Sequence, residues 1–420
     1  MTAPMPPQAG DLRLRVSAGV IEFPVHHVRG GTSTGLVLWE RLVPAEPALR
    51  EELIRHLMGV PLAGSRPGNR QVTGLGRGIA TSNKVFLADI EEAGGAQRLV
   101  STLAQLASDI AAIDWSVNCG NMSSALQLWG LDTGFLAAPA TGPCEEEIRN
   151  TNTGVLTTSR MVREADGRFA VAEIPGVDGA FPAVDLFLHD PVGSKTGRLL
   201  PTGRAIDEIG GHAVSCVDVA VPMVIAEAAG FGKTAREPMA ELVADGAFME
   251  AFRAVWIEAG LRMGLKRRDG TLMTAGEIAR SETVPKACIV GPPGEGGNVA
   301  VRYFTPQTGH PSMAVSGGCC LAAAALVPGS VANRVARGLT LPRPGFADHE
   351  IGIENPAGIL EATVVARMEA GGLAVSSAAY RRSTQILVRG HVPLYRASPA
   401  LQAALSGALD DAPAQVLQAQ

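Results

Sequence analysis

Two distant segments of this chain follow the same plan, and the repetition limits the folds that the chain can adopt. In each segment an apolar strand opens with a lysine, and about thirty residues later a glycine turn opens a helix of small residues. Lys84 and Lys286 open the two strands, and the two turns carry Cys119 and Ser316 at matching positions. The repeat predicts two similar domains that each direct a helix N-terminus into a shared cleft. Two positive helix ends in a cleft favour a di- or tricarboxylate ligand.

Local patterns predict both strands and helices. Short apolar runs bounded by turn residues predict strands at 21–25, 35–38, 84–88, 169–174, 287–290 and 299–304. Helical spacing of apolar residues occurs at 47–58, 103–113, 122–128, 239–259 and 320–326, with a short amphipathic pattern at 399–409. The chain is therefore expected to have a mixed α+β fold, without the regular alternation of a doubly wound sheet.

The length of 420 residues indicates two domains, and the boundary is expected in the Gly/Pro-rich stretch 190–211 or near 221–222. We expect an N-terminal domain at 13–205, completed by a strand near 384–394, and a C-terminal domain at 206–383. A C-terminal extension then covers 395–420, and its Gln/Ala-rich end is expected to be frayed.

Composition argues against several classes of protein. The net charge is −5 with scattered basic residues, so nucleic acid is not an expected partner. No stretch of about 20 apolar residues is free of charges and turns, and the Pro-rich start lacks the pattern of a secretory signal, so no membrane segment is expected. Six cysteines without a CxxC pair indicate reduced thiols in a cytoplasmic protein, and His26 and His27 alone do not make a zinc site, so no metal is expected.

The turn Asn118-Cys119-Gly120-Asn121 places one thiol where an apolar segment passes into a helix. Free N–H groups at a helix start favour the thiolate and can hold a carboxylate. A small buried cysteine is the alternative reading, but the Gly and Asn neighbours permit the bend and leave donors exposed, which favours a functional thiol.

Three other features suggest anion chemistry. The Gly/hydroxyl-rich turn at 28–35 offers donors to an anion, with Arg29 as a bidentate carboxylate contact, although an ordinary hairpin loop is the alternative. Lys84 either reaches the surface or enters the cleft, where burial would lower its pKa toward that of a useful base. His310 could contact a ligand, although a lone loop histidine is more often structural. The Gly-x-Gly-x-Gly run at 74–78 departs from a dinucleotide fingerprint, and no phosphate loop is present.

Six motifs occur in order between Phe23 and Val392: RGGTS at 29–33, RQVTGLG at 70–76, SNKV at 82–85, NCGNM at 118–122, NTNT at 150–153 and TGRLLPTG at 196–203. Together they resemble the PrpF family, which includes 2-methylaconitate isomerase, 3-methylitaconate isomerase and 4-oxalomesaconate tautomerase and has the diaminopimelate epimerase fold. The resemblance implies two pseudo-symmetric domains, each a β-sheet wrapped around a central helix, with the active site in the interdomain cleft. The helices that begin near Met122 and Cys320 would be the central ones.

The resemblance also implies chemistry without a cofactor, with Cys119 and Lys84 as the catalytic pair. Two-cysteine racemases of this fold carry a second cysteine just before the second helix. Ser316 occupies that register here, and Cys319 and Cys320 lie farther into the helix. This favours an acid–base pair of unlike groups. Thr34 stands where the family commonly has a lysine, which leaves the substrate open.

The expected reaction is a 1,3-allylic proton shift in a small unsaturated di- or tricarboxylate. One catalytic group removes a proton γ to a carboxylate-bearing carbon, N–H groups of the two helix starts hold the dienolate, and the other group returns a proton. The expected substrate-binding residues are Arg29, Gly31, Thr32, Ser33, Gln71, Thr73, Ser82, Asn118, Gly120, Asn121, Met122, Lys286, His310, Ser316, Gly317 and Gly318. The alternatives are a cis-trans isomerase of an aconitate-like substrate, a racemase or epimerase, and a non-catalytic accessory protein to an iron–sulfur dehydratase. A homodimer also stays open.

Overall fold

A computed structural model describes residues 12–78, 80–267, 269–281, 283–294, 296–305 and 307–410. They form two compact units. The first contains the described parts of Met1–Ala172 and Arg382–Gln420 together with Gly179–Val184, and the second contains Glu173–Asp178 and the described part of Asp185–Arg381. Strands and helices occur in both units, which confirms a mixed α+β fold.

The elements are numbered along the chain. The strands are β1 (Arg15–Ser17), β2 (Val20–Gly30), β3 (Ser33–Trp39), β4 (Lys84–Ala93), β5 (Ala96–Leu106), β6 (Ile113–Asp114), β7 (Gly142–Asn150), β8 (Leu156–Arg163), β9 (Val171–Ala172), β10 (Phe181–His189), β11 (Asp207–Ile209), β12 (His212–Val219), β13 (Val221–Glu227), β14 (Lys286–Gly291), β15 (Val299–Thr305), β16 (Thr308–Gly309), β17 (Ala347–Asn355), β18 (Gly358–Glu369) and β19 (Gly372–Pro393). The helices are α1 (Pro47–Met58), α2 (Gly120–Ser123), α3 (Leu126–Asp132), α4 (Met239–Ala244), α5 (Gly246–Arg262), α6 (Ala275–Arg280), α7 (Val315–Leu326), α8 (Val331–Val335) and α9 (Pro399–Asp410).

The first unit is a mixed sheet with helices on both faces. The pairs β2–β3, β4–β5 and β7–β8 are antiparallel, whereas β3–β4 and β5–β7 are parallel. The end of β19 pairs antiparallel with β2, so the strand expected near 384–394 joins this sheet. Leu36 and Val85 face a core shared with α1 and α9. Because side chains alternate along a strand, Gly35 and Lys84 lie on the opposite face, where Met122 of α2 packs against Gly35.

The second unit repeats this succession of pairings. The pairs β12–β13, β14–β15 and β17–β18 are antiparallel, and β13–β14 and β15–β17 are parallel. The core on one face packs around α7, and the core on the other face contains α5 and α6. Cys288 faces the α7 core and Ala287 faces the α5 core, so alternation places Lys286 on the α7 face. In each unit the lysine singled out from the sequence opens the strand that pairs in parallel with the strand preceding it.

Most predicted elements are confirmed, with α1 and α9 beginning where the pattern indicated. The helix expected at 103–113 is wrong: this stretch ends β5, continues as a turn and begins β6. Of the strand expected at 169–174, Val171–Ala172 pairs with β10 and Phe169 forms an isolated bridge with Arg163. The helix expected at 239–259 is interrupted at Asp245, whose side chain caps α5 by accepting a hydrogen bond from the Phe248 N–H. The frayed end expected at 411–420 lies outside the described residues.

The unit boundary differs from the expected position at residue 205. Residues 185–205 belong to the second unit, where the buried Asp218 carboxylate at the end of β12 binds residues 194–196. It accepts hydrogen bonds from Ser194 Oγ at 2.6 Å, Lys195 N at 2.9 Å and Thr196 N at 2.8 Å. A buried carboxylate requires such donors, and the Thr196 N–H that binds Asp218 is the first of the TGRLLPTG motif.

Candidate active site

The turn between β2 and β3 is packed against the cysteine turn. Gly30 pairs with Ser33, so the hairpin loop is Gly31-Thr32, and Gly31 has a φ of +53°. A Cβ on Gly30 would lie 2.2 Å from the Asn121 carbonyl oxygen, and one on Gly31 would lie 2.6 Å from Asn121 Oδ1. These glycines are therefore required by the close approach of the two turns as well as by backbone conformation.

Arg29, expected as a carboxylate ligand, mainly holds this turn. Its Nη1 donates to Gly31 O at 2.9 Å and to Ser383 O at 3.1 Å, and its guanidinium lies 4.6 Å from the centre of the Phe181 ring. Burial lowers the Arg29 pKa. Only Nη2 has no hydrogen-bond partner among the described residues, and this atom is buried. The contacts assign Arg29 to the architecture of the turn.

Cys119 is the N-cap residue of α2, and its side chain is half-buried. Asn118 Oδ1 accepts a hydrogen bond from the Cys119 N–H at 2.7 Å. Helix α2 has only four residues, although Ser124 and Ala125 keep right-handed helical dihedrals up to α3. The other five cysteines are buried, so Cys119 is the thiol with solvent access.

Asn121 connects the cysteine turn to two other elements. Its Nδ2 donates to Thr32 Oγ1 at 3.3 Å, and its Oδ1 accepts from Arg382 Nε at 2.9 Å. Arg382 is buried in β19 and was not identified from the sequence. The available signal was a pair of arginines inside a strand-like run of small residues. Met122, expected to touch substrate, is instead fully buried beneath Gly35.

Lys84 lies beside Cys119 on the same side of the sheet as α2. Burial lowers the Lys84 pKa from 10.5, and the negative charge of the Cys119 thiolate acts against this shift. A Cβ on Gly35 would lie 2.4 Å from Lys84 O and 3.0 Å from Met122 Cε, so Lys84 and the short helix that Cys119 caps are adjacent. The structure therefore brings together the two groups that proton-transfer chemistry would use.

Gln71, another expected ligand, is buried in a network that supports Lys84. Its Nε2 donates to Met58 O at 2.9 Å and to Asn83 Oδ1 at 2.8 Å, and its Oε1 accepts from Gly78 N at 2.7 Å. Asn83, which precedes Lys84, is fully buried. These bonds use both ends of the Gln71 amide, so it positions the segment before β4 and is not placed to bind substrate.

Replacing Gln71 with methionine is expected to lower the free energy of unfolding by about 2 kcal/mol, because buried partners in this network lose their hydrogen bonds. Urea unfolding measures the change. Gln97→Met is the matched control, since Gln97 is exposed, and it should stay within about 0.5 kcal/mol of the parent. Equal unfolding midpoints for both variants would contradict the network.

Only some of the ligands expected in the second unit have polar groups available to contact a substrate. Burial lowers the pKa values of Lys286 and His310, and Lys286 adds to the shift at His310. His310 Nδ1 accepts from Ser312 N at 3.0 Å. Ser316 and Gly317 lie in the first turn of α7, which begins five residues earlier than predicted.

Gly318 cannot serve as the expected N–H donor. Its N–H donates to Ala314 O at 2.9 Å. A Cβ on Gly317 or Gly318 would lie 2.7 Å from the ring of Tyr303 or Tyr380, respectively. Both glycines therefore allow α7 to pack against aromatic rings.

Two further expected ligands of the first unit lie in the segment before β4. Thr73 is exposed, and Ser82 is half-buried in a short 3-10 turn before β4. Among the described residues no group of three His, Cys, Asp or Glu side chains could hold a metal ion. No helix in the described part of the chain is long and apolar enough to cross a membrane.

Residues 20–395 match the family model described as PrpF protein. The chain belongs to the PrpF family. The putative isomerase YbhH of Escherichia coli is 31% identical over 348 residues, which cover 81% of this chain and 90% of the relative. The 4-oxalomesaconate tautomerase of Pseudomonas putida is 31% identical over 382 residues, which cover 90% of this chain and 98% of the relative.

The 3-methylitaconate isomerase of Eubacterium barkeri is 27% identical over 399 residues, covering 90% of this PrpF chain and 98% of the relative. A crystal structure of methylitaconate-delta-isomerase superposes with a TM-score of 0.74 at 24% identity, covering 91% of this chain and 97% of the other. That likeness establishes the fold. The relatives are isomerases and tautomerases, and this PrpF chain is an isomerase.

Proposed function

We propose that this chain moves a C=C bond in an unsaturated di- or tricarboxylate by a 1,3-allylic proton shift, with Cys119 and Lys84 as the proton-transfer pair and no cofactor. The observation that carries the proposal is the placement of the half-buried Cys119 thiol and the buried Lys84 on the same face of the first unit's sheet, where Met122 of α2 packs beside Lys84 O. The named substrates of the relatives, 3-methylitaconate and 4-oxalomesaconate, belong to this chemical class.

The proposed reaction conserves atoms and electrons. One member of the pair takes a proton from the carbon γ to a carboxylate group, and the C–H electron pair becomes part of a dienolate. The other member returns a proton at the α carbon, which leaves the double bond shifted by one position. The first-turn N–H groups of Gly120, Asn121 and Gly317 are the proposed donors to the dienolate, and Gly318 is withdrawn from this role.

We also propose that the two units are related copies of a diaminopimelate epimerase-like domain. The same succession of antiparallel and parallel pairings in each unit supports this relationship. Substrate binding between the units, a homodimer and a cytoplasmic location stay predictions.

Ser316 weighs against racemisation by two thiols. It lies in the first turn of α7, where a second reactive cysteine would be needed, and Cys319 and Cys320 are fully buried. A single accessible thiol beside a lysine suits proton transfer between unlike groups.

The test is turnover of methylitaconate, methylaconitate, oxalomesaconate and aconitate, followed by proton NMR in D₂O. We expect at least one of them to yield a product with a shifted double bond and one deuterium at a single carbon. Deuterium at the α carbon of an unchanged skeleton would indicate racemisation. Geometric isomerisation without a shifted double bond, or no turnover of any of them, would also contradict the proposal.

A further inference from the structure

A polar cavity of about 320 Å³ lies in the first unit, away from Cys119 and Lys84. It is bounded by the end of α1, by residues 59–73 and by residues 393–396, which lead into α9. Helix α1 packs on the face of the sheet opposite α2, so this cavity and the proton-transfer pair are on different sides of the sheet. The size is in the range of small-molecule sites.

The lining of this cavity is cationic. Arg55, Arg66 and Arg396 contribute the positive charge, burial lowers the pKa of the fourth basic side chain, His56, and no Asp or Glu is among the lining residues. An isolated cavity with several guanidinium groups and no carboxylate has a positive potential that attracts anions.

Two of the basic side chains already contact acids outside the cavity. Arg55 forms an ion pair with Glu51 and donates through Nε to Ala111 O at 2.8 Å. His56 Nε2 lies 3.5 Å from Glu52, whose carboxylate also accepts hydrogen bonds from Ser398. Arg55 and Glu51 offset one another, and the guanidinium groups of Arg66 and Arg396 outnumber the one remaining carboxylate behind the lining, that of Glu52.

Arg66 and Arg396 provide the surplus charge. Both are exposed, and neither forms an ion pair with an acid of the described residues. They approach from different segments, since Arg66 belongs to the loop after α1 and Arg396 to the connection before α9. Thr73 adds a hydroxyl to the same lining. Two guanidinium groups that line one cavity from separate segments suit a ligand with two or more anionic groups.

We infer that this cavity binds a small polyanion, carrying carboxylate or phosphate groups, at a site separate from Cys119 and Lys84. Arg66 and Arg396 contribute the main charge-assisted hydrogen bonds, and Thr73 contributes a neutral one. The site does not depend on the proposed reaction, because no lining residue takes part in it.

The cavity also borders the hydrogen-bond network that positions the segment before Lys84. Asn69, which lines the cavity, donates through Nδ2 to Gly59 O at 2.9 Å, and Oδ1 of Asn69 accepts from Gln71 N at 3.4 Å. Gln71 in turn holds Asn83. A polyanion in the cavity is therefore bound by the segment that positions the start of β4.

Isothermal titration of the full chain with inorganic pyrophosphate and with citrate, at about 0.15 M salt, tests the inference. The R66Q/R396Q variant should bind the tighter of the two probes about 10²-fold more weakly, or about tenfold for each guanidinium. The control is R13Q/R168Q, which removes the same charge from two exposed arginines of the same unit that do not line the cavity. Its affinity should stay within about twofold of the parent, because distant exposed charges are screened.

Tighter binding of pyrophosphate would identify phosphate groups as the preferred chemistry, and tighter binding of citrate would identify carboxylates. Citrate bound at the proton-transfer site would persist in R66Q/R396Q, so only binding lost in that variant counts as support. Equal affinities in the two double variants, or no binding of either probe to the parent, would overturn the inference. The readout needs no turnover and is independent of the proposed reaction.

Discussion

Replacing Lys84 with methionine is expected to lower kcat/KM by about 10²- to 10⁴-fold, the usual contribution of a positioned acid or base. Methionine has a similar length and no exchangeable proton. Because burial lowers the pKa of Lys84, its neutral amine is reached at lower pH than in an exposed lysine, which suits proton transfer. Initial rates with the substrate identified by NMR give the effect.

Lys84→Arg separates proton transfer from fixed charge. Arginine keeps the positive charge but does not deprotonate in proteins. If Lys84 exchanges a proton, the arginine variant should be as impaired as the methionine variant. Recovery of most activity by Lys84→Arg would instead make Lys84 an electrostatic anchor. Lys266→Met, at an exposed lysine, should retain parental kcat/KM.

Cys119→Ser should cause a loss of similar size and should also shift the pH profile. The Cys119 thiolate raises the pKa of Lys84 against the effect of burial. Removing the thiolate therefore lowers the Lys84 pKa further, and the limb of the kcat/KM profile that belongs to Lys84 should move to lower pH. An unchanged limb, or one at higher pH, would mean that the two groups do not interact.

The sequence alone identified the features whose signals are local. A lysine at the start of a short apolar run predicted the first residue of β4 and of β14, because strand patterns are read from neighbouring residues. The Asn/Gly turn at Cys119 was found for the same reason. The helix expected at 103–113 failed because a short run of apolar residues fits either period, and pairing with β4 decided the outcome.

Features created by distant contacts could not be read from local patterns. Arg382 meets Asn121 across 261 positions of sequence. The Gln71 amide could bind a ligand, yet its hydrogen-bond partners Met58 and Asn83 come from different elements and enclose it. Gly318 resembled a donor at a helix start because α7 was expected to begin later than it does. Each error came from an acceptor or a packing partner that only the folded chain supplies.

Gly30→Ala is expected to have the second large effect on activity, because the turn between β2 and β3 lies close to the turn that contains Cys119. Gly30 has an ordinary backbone conformation, so alanine would not strain φ, and the effect is steric. The added Cβ would lie 2.2 Å from Asn121 O and 2.9 Å from Met122 Cα, which are backbone atoms that cannot rotate away. The start of α2 must therefore shift, and Cys119 shifts with it.

We expect Gly30→Ala to lower kcat/KM by about 10²-fold, since a displacement of about 1 Å at a reacting group has effects of this size. Overpacking should also lower the free energy of unfolding by about 1–3 kcal/mol. Gly407→Ala makes the same chemical change in the same unit, on an exposed position of α9 with open space around the new Cβ. Because alanine favours a helix, the free energy of unfolding of the control should rise by about 0.5–1 kcal/mol, and its kcat/KM should stay at the parental value. Parental kinetics in Gly30→Ala would show that the position of Cys119 relative to Lys84 does not limit the reaction, and the proposed pair would then lose its geometric support.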